Sequence, residues 1–211
     1  MGTVLAQRNG SPMTLQASRG YSLIEMMIVV GLTVVLAAFA IPMSGNALGY
    51  FRLSGDAKKV SAAITLAKMR AASNFSQSRL FVDLSTKTYH METYQKTGTP
   101  GWIWEGGSTD LSQGVSPGFG SLTAPPASTQ GTIAQAPQCL NDANVAVANT
   151  ACVVFNSRGI PIDPSASDAP TTADAIYVTD GSTVYGVTVL ITGNIDVWRS
   201  GASTAAWTKQ Q

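Results

Sequence analysis

Charge is what this chain has least of. Only 12% of its 211 residues are Asp, Glu, Lys or Arg, 13 basic against 12 acidic, for a formal net charge of +1. That is about half the usual charged share, and a near-neutral chain is ill suited to coating nucleic acid or binding membranes through a polybasic patch. Histidine is nearly absent: the single His90 excludes histidine-rich metal centres, and two cysteines are too few for a four-cysteine zinc site. There is no P-loop, no G-x-G-x-x-G and no G-x-S-x-G elbow. His90 lies between Tyr89 and Met91 on an alternating stretch, which reads as a partly exposed strand histidine rather than a member of a catalytic triad. Asp163 and Asp168 occupy a Pro/Ser/Ala-rich loop whose spacing fits no EF-hand calcium loop. No catalytic residue, metal or cofactor is expected. Low charge together with 20 glycines suits an exported or surface-assembled protein better than a cytosolic enzyme. The length allows one ordinary domain with an accessory segment.

What the chain does have is one long apolar run. Residues Leu23 to Ile41 read LIEMMIVVGLTVVLAAFAI, interrupted by polar side chains only at Glu25 and Thr33. As a helix this run is about 28 Å long at 1.5 Å per residue, close to the roughly 30 Å hydrocarbon core of a bilayer. It is predicted to be a transmembrane helix; the competing reading is a buried core helix. No later stretch is apolar for long enough to span again, so a single pass is expected. Residues 1–20 carry Arg8 and Arg19 and no acid, which places that flank in the cytoplasm. The residues after the run, Ile41-Pro42-Met43-Ser44-Gly45, do not form a secretory cleavage site. Small residues precede it instead, in Ser18-Arg19-Gly20.

The string Arg19-Gly20-Tyr21-Ser22-Leu23-Ile24-Glu25-Met26-Met27-Ile28-Val29, followed by this run, resembles the class III signal of type IV pilins and type II secretion pseudopilins. The resemblance implies cleavage by prepilin peptidase between Gly20 and Tyr21 and N-methylation of Tyr21, which stands where phenylalanine is more usual. It also implies that Glu25 pairs with the terminal amine of a neighbouring subunit during assembly. An ionisable group in a membrane helix costs about 2.5–3.5 kcal/mol on insertion scales, so a partner is expected; the alternative is a carboxylate lying among the headgroups. Pro42 falls where many pilins place a helix-kinking proline, and its missing N–H predicts a kink or an end there. Translation from Met13 leaves an eight-residue leader, MTLQASRG.

Beyond Gly45 and Gly49 a helical pattern resumes. Leu53, Ala57, Val60, Ile64, Ala67 and Ala71 form one apolar stripe, with Arg52, Asp56, Lys58, Lys59, Lys68 and Arg70 assigned to the opposite face. The helix is expected to reach about Asn74. From Ser76 onward the pattern is that of strands. Leu80–Leu84 and Thr88–Tyr94 read as a hairpin around Ser85-Thr86-Lys87. Trp102-Ile103-Trp104 is a short strand ended by Gly106-Gly107. Val153–Phe155 leads into the turn Asn156-Ser157-Arg158-Gly159. Ala175–Thr179 and Val184–Thr192 form a second hairpin, and Ile195–Arg199 is read as the last strand. The fold class is therefore α+β: a long N-terminal helix, transmembrane in its first half and amphipathic in its second, packed on an antiparallel β-sheet or β-sandwich. In residue ranges this gives a leader at 1–20, a membrane half at 21–43, an amphipathic half at 44–75 and a β domain at 76–211 with a long loop at 108–151.

The segments Leu66–Ala72, Arg79–Leu84, Val154–Gly159 and Thr192-Gly193 resemble GspH/FimT-type minor pseudopilins. The resemblance implies a structural subunit of a type IV pilus or type II secretion pseudopilus, stored in the bacterial inner membrane with its β domain in the periplasm. Its partners are other pilin or pseudopilin subunits, the peptidase and the inner membrane. The alternative is a FimT-like pilus-tip binding module for DNA or an exported substrate. DNA-binding relatives carry a basic G-R-x-R-type stretch; here Gly193-Asn194-Ile195-Asp196 replaces it, with Arg199 further on. Residues 76–211 hold six basic and ten acidic side chains, which counts against a DNA partner. Trp102, Trp104, Phe119 and Trp198 are candidates for protein contacts or for the core. Cys139 and Cys152 have no histidine or C-x-x-C motif nearby and lie on the expected extracytoplasmic side. A Cys139–Cys152 disulfide is predicted, worth about 3 kcal/mol for a loop of this size; two buried thiols are the alternative.

Overall fold

The structure, a computed structural model, describes residues 20–171 and 174–210, with the side chains of 39–47 outside the description. The chain divides into two compact units, Met1–Ser44 and Gly45–Gln211. Among the described residues one α-helix is present, α1 (Leu23–Ser73); it begins in the first unit and ends in the second.

In the first unit the described apolar side chains are exposed all round the helix, from Leu23 at 79% to Val29 at 50%. Thr33 satisfies its hydroxyl locally on the Val30 carbonyl at 2.8 Å, as threonine does in apolar helices. The helix does not end at Pro42, whose backbone is helical. Among the described residues no helix is long and apolar enough to cross a membrane; the described side chains of the apolar run stop at Ala38.

In the second unit the stripe is as the spacing requires: Leu53, Ala57, Val60, Ile64, Ala67 and Ala71 are all at or below 1% exposure. Asp56, assigned to the solvent face, is a correction. It is 1% exposed and accepts from the Ser112 backbone N–H at 2.6 Å, from the Ser112 hydroxyl at 3.0 Å and from Lys59 at 3.3 Å. It lies three residues after Leu53 and four before Val60, on the edge of the stripe, and three donors compensate its burial. The helix closes with a Schellman motif: Phe75 takes a left-handed φ of 47°, Ser76 N–H reaches the Ala71 carbonyl and Phe75 N–H the Ala72 carbonyl.

Eleven strands follow: β1 (Ser78–Asp83), β2 (Thr88–Gln95), β3 (Gly101–Asp110), β4 (Ser116–Pro117), β5 (Thr150–Phe155), β6 (Pro161–Asp163), β7 (Ala169–Pro170), β8 (Ala175–Thr179), β9 (Thr183–Val189), β10 (Ile195–Gly201) and β11 (Thr204–Gln210). They build two antiparallel sheets, ordered β3-β2-β1-β5-β6-β7 and β11-β10-β9-β8-β4. Both predicted hairpins are present, Leu80 facing Met91 in one and Tyr177 facing Gly186 in the other. Side chains from the helix (Val60, Ile64, Ala67, Ala71), from the first sheet (Leu80, Val153, Phe155) and from the second (Ile176, Val187, Val189) meet in one buried cluster. The second half of the helix therefore packs on both sheets, an α+β arrangement.

Three strand assignments are corrected. β3 does not stop at Gly106-Gly107: the pairing steps from Tyr89–Thr109 to Met91–Glu105, and Gly106 at φ +79° supplies the bulge between them. The Pro/Ser/Ala-rich loop around Asp163 and Asp168 is flanked by two short strands, β6 and β7, which at two or three proline-bearing residues carry no strand pattern. β10 is not the last strand. β11 pairs with it along the sheet edge, and because most of its side chains are exposed on both faces it has no alternation to read.

Candidate functional site

The N-terminal motif enters the described region at Gly20. Gly20 and Tyr21 are exposed, and the helix starts at Leu23 with Met26 N–H bonded to the Ser22 carbonyl at 3.1 Å. Glu25 is exposed in the first turn, where a carboxylate complements the positive end of the helix dipole. Arg8, Met13 and Arg19 lie outside the described residues, as does the Pro42 side chain.

A second polar concentration lies on the first sheet. Arg79, 4% exposed, donates to Glu92 Oε2 at 2.6 Å and to the Leu140 carbonyl at 2.6 Å, and its guanidinium lies 3.8 Å over the Trp102 ring. Burial pulls the Arg79 pKa below its ordinary value, opposed by the Glu92 charge. Cys139 and Cys152 are disulfide-bonded, as predicted. The loop they close is tied to the sheet twice more: by Arg79, and by Asp142, which accepts from the Trp102 backbone N–H at 2.8 Å. Gly101 leaves room for that carboxylate, since a Cβ there would sit 3.0 Å from it. His90 stacks between Phe81 and Trp104, with ring centroids at 4.7 and 3.9 Å, and its Nε2 is 3.0 Å from Glu92 Oε1. Among the described residues no serine hydrogen-bonds to it, and the cluster reads as packing rather than as a triad. Trp104 is 54% exposed; Phe119 packs edge-on to Tyr177, and Trp198 donates its indole N–H to Thr188. Asp163 caps a short 3₁₀ turn through Ser165, and Asp168 accepts from Gln77, so the two carboxylates are engaged separately.

The C-terminal stretch is shaped by a different contact. Lys68 reaches from the helix to donate to the Gly193 carbonyl at 2.9 Å. Gly193 has φ +78°, and a Cβ on it would lie 2.5 Å from the Gly159 carbonyl. Glycine is the residue that fits there. The segments Leu66–Ala72, Val154–Gly159 and Thr192-Gly193, separate in sequence, thus converge on one clasp between helix and sheets. Asp196 is paired with Lys209 at 2.9 Å, and Arg199 lies over the Tyr50 ring at 5.0 Å. Arg158 is exposed in its turn, and no hydrogen bond or ring contact joins it to Arg199. The structural roles of Lys68, Asp56 and Arg79 were not anticipated. Only for Asp56 did the sequence carry a signal, its place on the stripe.

No family model matches the chain, and no curated protein matches it. Among solved structures the chain is similar to the minor pseudopilin EpsH from the type 2 secretion system of Vibrio cholerae. One such structure shows 10% identity and a TM-score of 0.41 over 69% of this chain and 94% of that one. A second, a crystal structure of the same pseudopilin, shows 12% identity and a TM-score of 0.40 over 69% and 92%.

Proposed function

We propose that the protein is a minor pilin or pseudopilin, a non-enzymatic structural subunit of a type IV pilus or type II secretion pseudopilus. One observation carries the reading: α1 opens with a stretch that, apart from Glu25 and Thr33, is apolar and exposed on every described face, and it begins within the motif Arg19–Val29. A helix apolar all round is stable only where lipid or other apolar helices surround it. On this reading residues 1–20 are a leader, prepilin peptidase cuts after Gly20, and Tyr21 becomes the methylated first residue. The helix is held once through the inner membrane with the β domain in the periplasm. Glu25 then meets the Tyr21 amine of a neighbouring subunit as the filament grows, and Pro42 bends the helix where it leaves the membrane. A bilayer-embedded carboxylate is stabilised by such a counter-charge. The disulfide suits an oxidising compartment. The alternative of DNA recognition by the 193–199 stretch is weakened by Asp196, whose carboxylate engages the neighbouring Lys209.

Deletion of the gene, scored in parallel for surface pili and for secreted proteins, tests this. Loss of pili with normal secretion assigns the subunit to a pilus, and exported proteins trapped in the periplasm with pili intact assign it to a secretion pseudopilus. Complementation by Glu25→Ala is expected to fail. Full complementation by that variant, or no phenotype in either assay, contradicts the assembly reading.

A further inference from the structure

We infer that the outer face of α1 in the second unit is a docking surface for a helix of a different chain, one that carries an apolar stripe flanked by Asp or Glu. Leu48, Phe51, Gly55, Ala62, Leu66 and Met69 follow one another at spacings of 3, 4, 7, 4 and 3, so they share one face of the helix, opposite the buried stripe. The large side chains on it are left in solvent: Leu48 is 54% exposed, Phe51 68%, Leu66 41% and Met69 56%. Apolar residues at steps of three and four are what one helix offers another as knobs and holes.

Two further features of this face serve nothing inside the fold. A Cβ on Gly55 would meet no atom within 4 Å, so the fold itself does not demand glycine there. Glycine weakens a helix interior, and its use is to let another chain come close. Beside Leu66 a cavity of about 320 Å³ opens between the helix and the first sheet, with Ala63, Leu80, Met91 and the backbone of Gly106-Gly107 in its lining. It is placed to receive an apolar side chain from whatever covers Leu66 and Met69.

Charge decides what that partner is. Between Gly45 and Ser73 the helix carries Arg52, Lys58, Lys59, Lys68 and Arg70, and one acid, Asp56, which is buried. Lys59 is held by Asp56 at 3.3 Å, Arg70 by Glu105 at 3.5 Å, and Lys68 by the Gly193 carbonyl. Arg52 and Lys58, which flank the Phe51–Gly55–Ala62 part of the face, are exposed and form no ion pair among the described residues. A second copy laid face to face sets basic side chains against basic side chains, with no acid on the face to pair them, and like charges across an interface are unfavourable. A helix of another chain with acidic flanks satisfies both the apolar stripe and the cations. That this helix belongs to another filament subunit rests on the function proposed above; the apolar face and its charge do not.

The test places the photo-cross-linker p-benzoylphenylalanine at Met69, at Leu32 in the first stretch of α1 or at Thr204 on β11, in the full chain expressed in its native host. Adducts are sequenced by mass spectrometry. From Met69 the expected adduct is to a different chain, in a segment with apolar residues at helical spacing and flanking Asp or Glu; Thr204 is expected to give none to that segment. Arg52→Glu combined with Lys58→Glu, both exposed, is expected to lower the Met69 adduct about tenfold with the melting midpoint unchanged. Adducts from Leu32 but none from Met69, Met69 adducts to a second copy of this chain, or an undiminished yield after charge reversal overturn the docking surface and leave the assembly reading standing. No adduct from either position overturns both.

Discussion

Two stretches of the same helix use apolar side chains in opposite ways. Between Leu23 and Leu36 the large apolar residues are at least half exposed, with no polar face to orient them. Between Leu53 and Ala71 six apolar residues fall on one stripe at 0–1% exposure, and the other faces carry the charges, with Leu66 and Met69 exposed among them. What separates them is pattern, not amount. A stripe selects one docking direction, and its small residues Ala57, Ala67 and Ala71 let both sheets come close. A fully apolar cylinder selects a medium, because no single surface covers it. The second stretch is the core of a domain; the first, on the function proposed above, belongs in a membrane and then in a bundle of like helices.

Substitutions sharpen this contrast. Ile64→Ala removes a fully buried side chain from the cluster shared by helix and sheets and is expected to cost about 2–5 kcal/mol. Leu32→Ala in the first stretch is expected to change the unfolding of the β domain by less than about 0.5 kcal/mol. Denaturant melts of both variants check this, and comparable losses would erase the distinction. Reduction of the Cys139–Cys152 bond, or Cys139→Ala, is expected to lower stability by about 3 kcal/mol, read as a drop in melting midpoint. Val30→Lys reverses the effect: it is expected to raise the cost of membrane insertion by about 3 kcal/mol and shift protein out of the membrane fraction, with the β domain melting as before.

A different kind of effect is a titration within the β domain. Asp174 is 1% exposed with one carboxylate oxygen unpaired, and burial, aided by the Asp163 charge, pushes its pKa up to about 8. From about pH 4 to about pH 8 the folded state holds a proton that the unfolded chain, with an ordinary carboxylate pKa, has released. Stability therefore falls as pH rises through that window, by at most about 1.4 kcal/mol per pH unit. Asp174→Asn is expected to flatten the slope and to stabilise most at pH 8. A variant that keeps the wild-type pH profile would show that Asp174 is not the group responsible.

Much of the fold was legible because local patterns there agree with the packing. The 4-3-4-3-4 spacing of the stripe, the hairpin turns at Ser85–Lys87 and Asp180–Thr183, and the paired cysteines each signal one arrangement. What escaped was set by tertiary context. β11 is an edge strand with no buried face, so nothing alternates. Gly106-Gly107 looks like a strand end and is a bulge, because the partner strand continues past it. Lys68 looks like any solvent lysine until Gly159 and Gly193, 34 residues apart in sequence, are brought beneath it. At the candidate site, the motif around Gly20, Tyr21 and Glu25 is read from sequence, whereas the Arg79 cluster joins Glu92, Trp102 and Leu140 from separate segments and has no local signature.

The central claim is that the first stretch of α1 is a processed assembly helix and the second a domain core. Mass spectrometry of the protein purified from membranes of its native host tests it most directly. The account predicts a chain that starts at Tyr21 with one added methyl group, and a chain still carrying residues 1–20 when prepilin peptidase is absent. A mature chain that keeps the leader in the presence of the peptidase, or one cut after the apolar run, would contradict it.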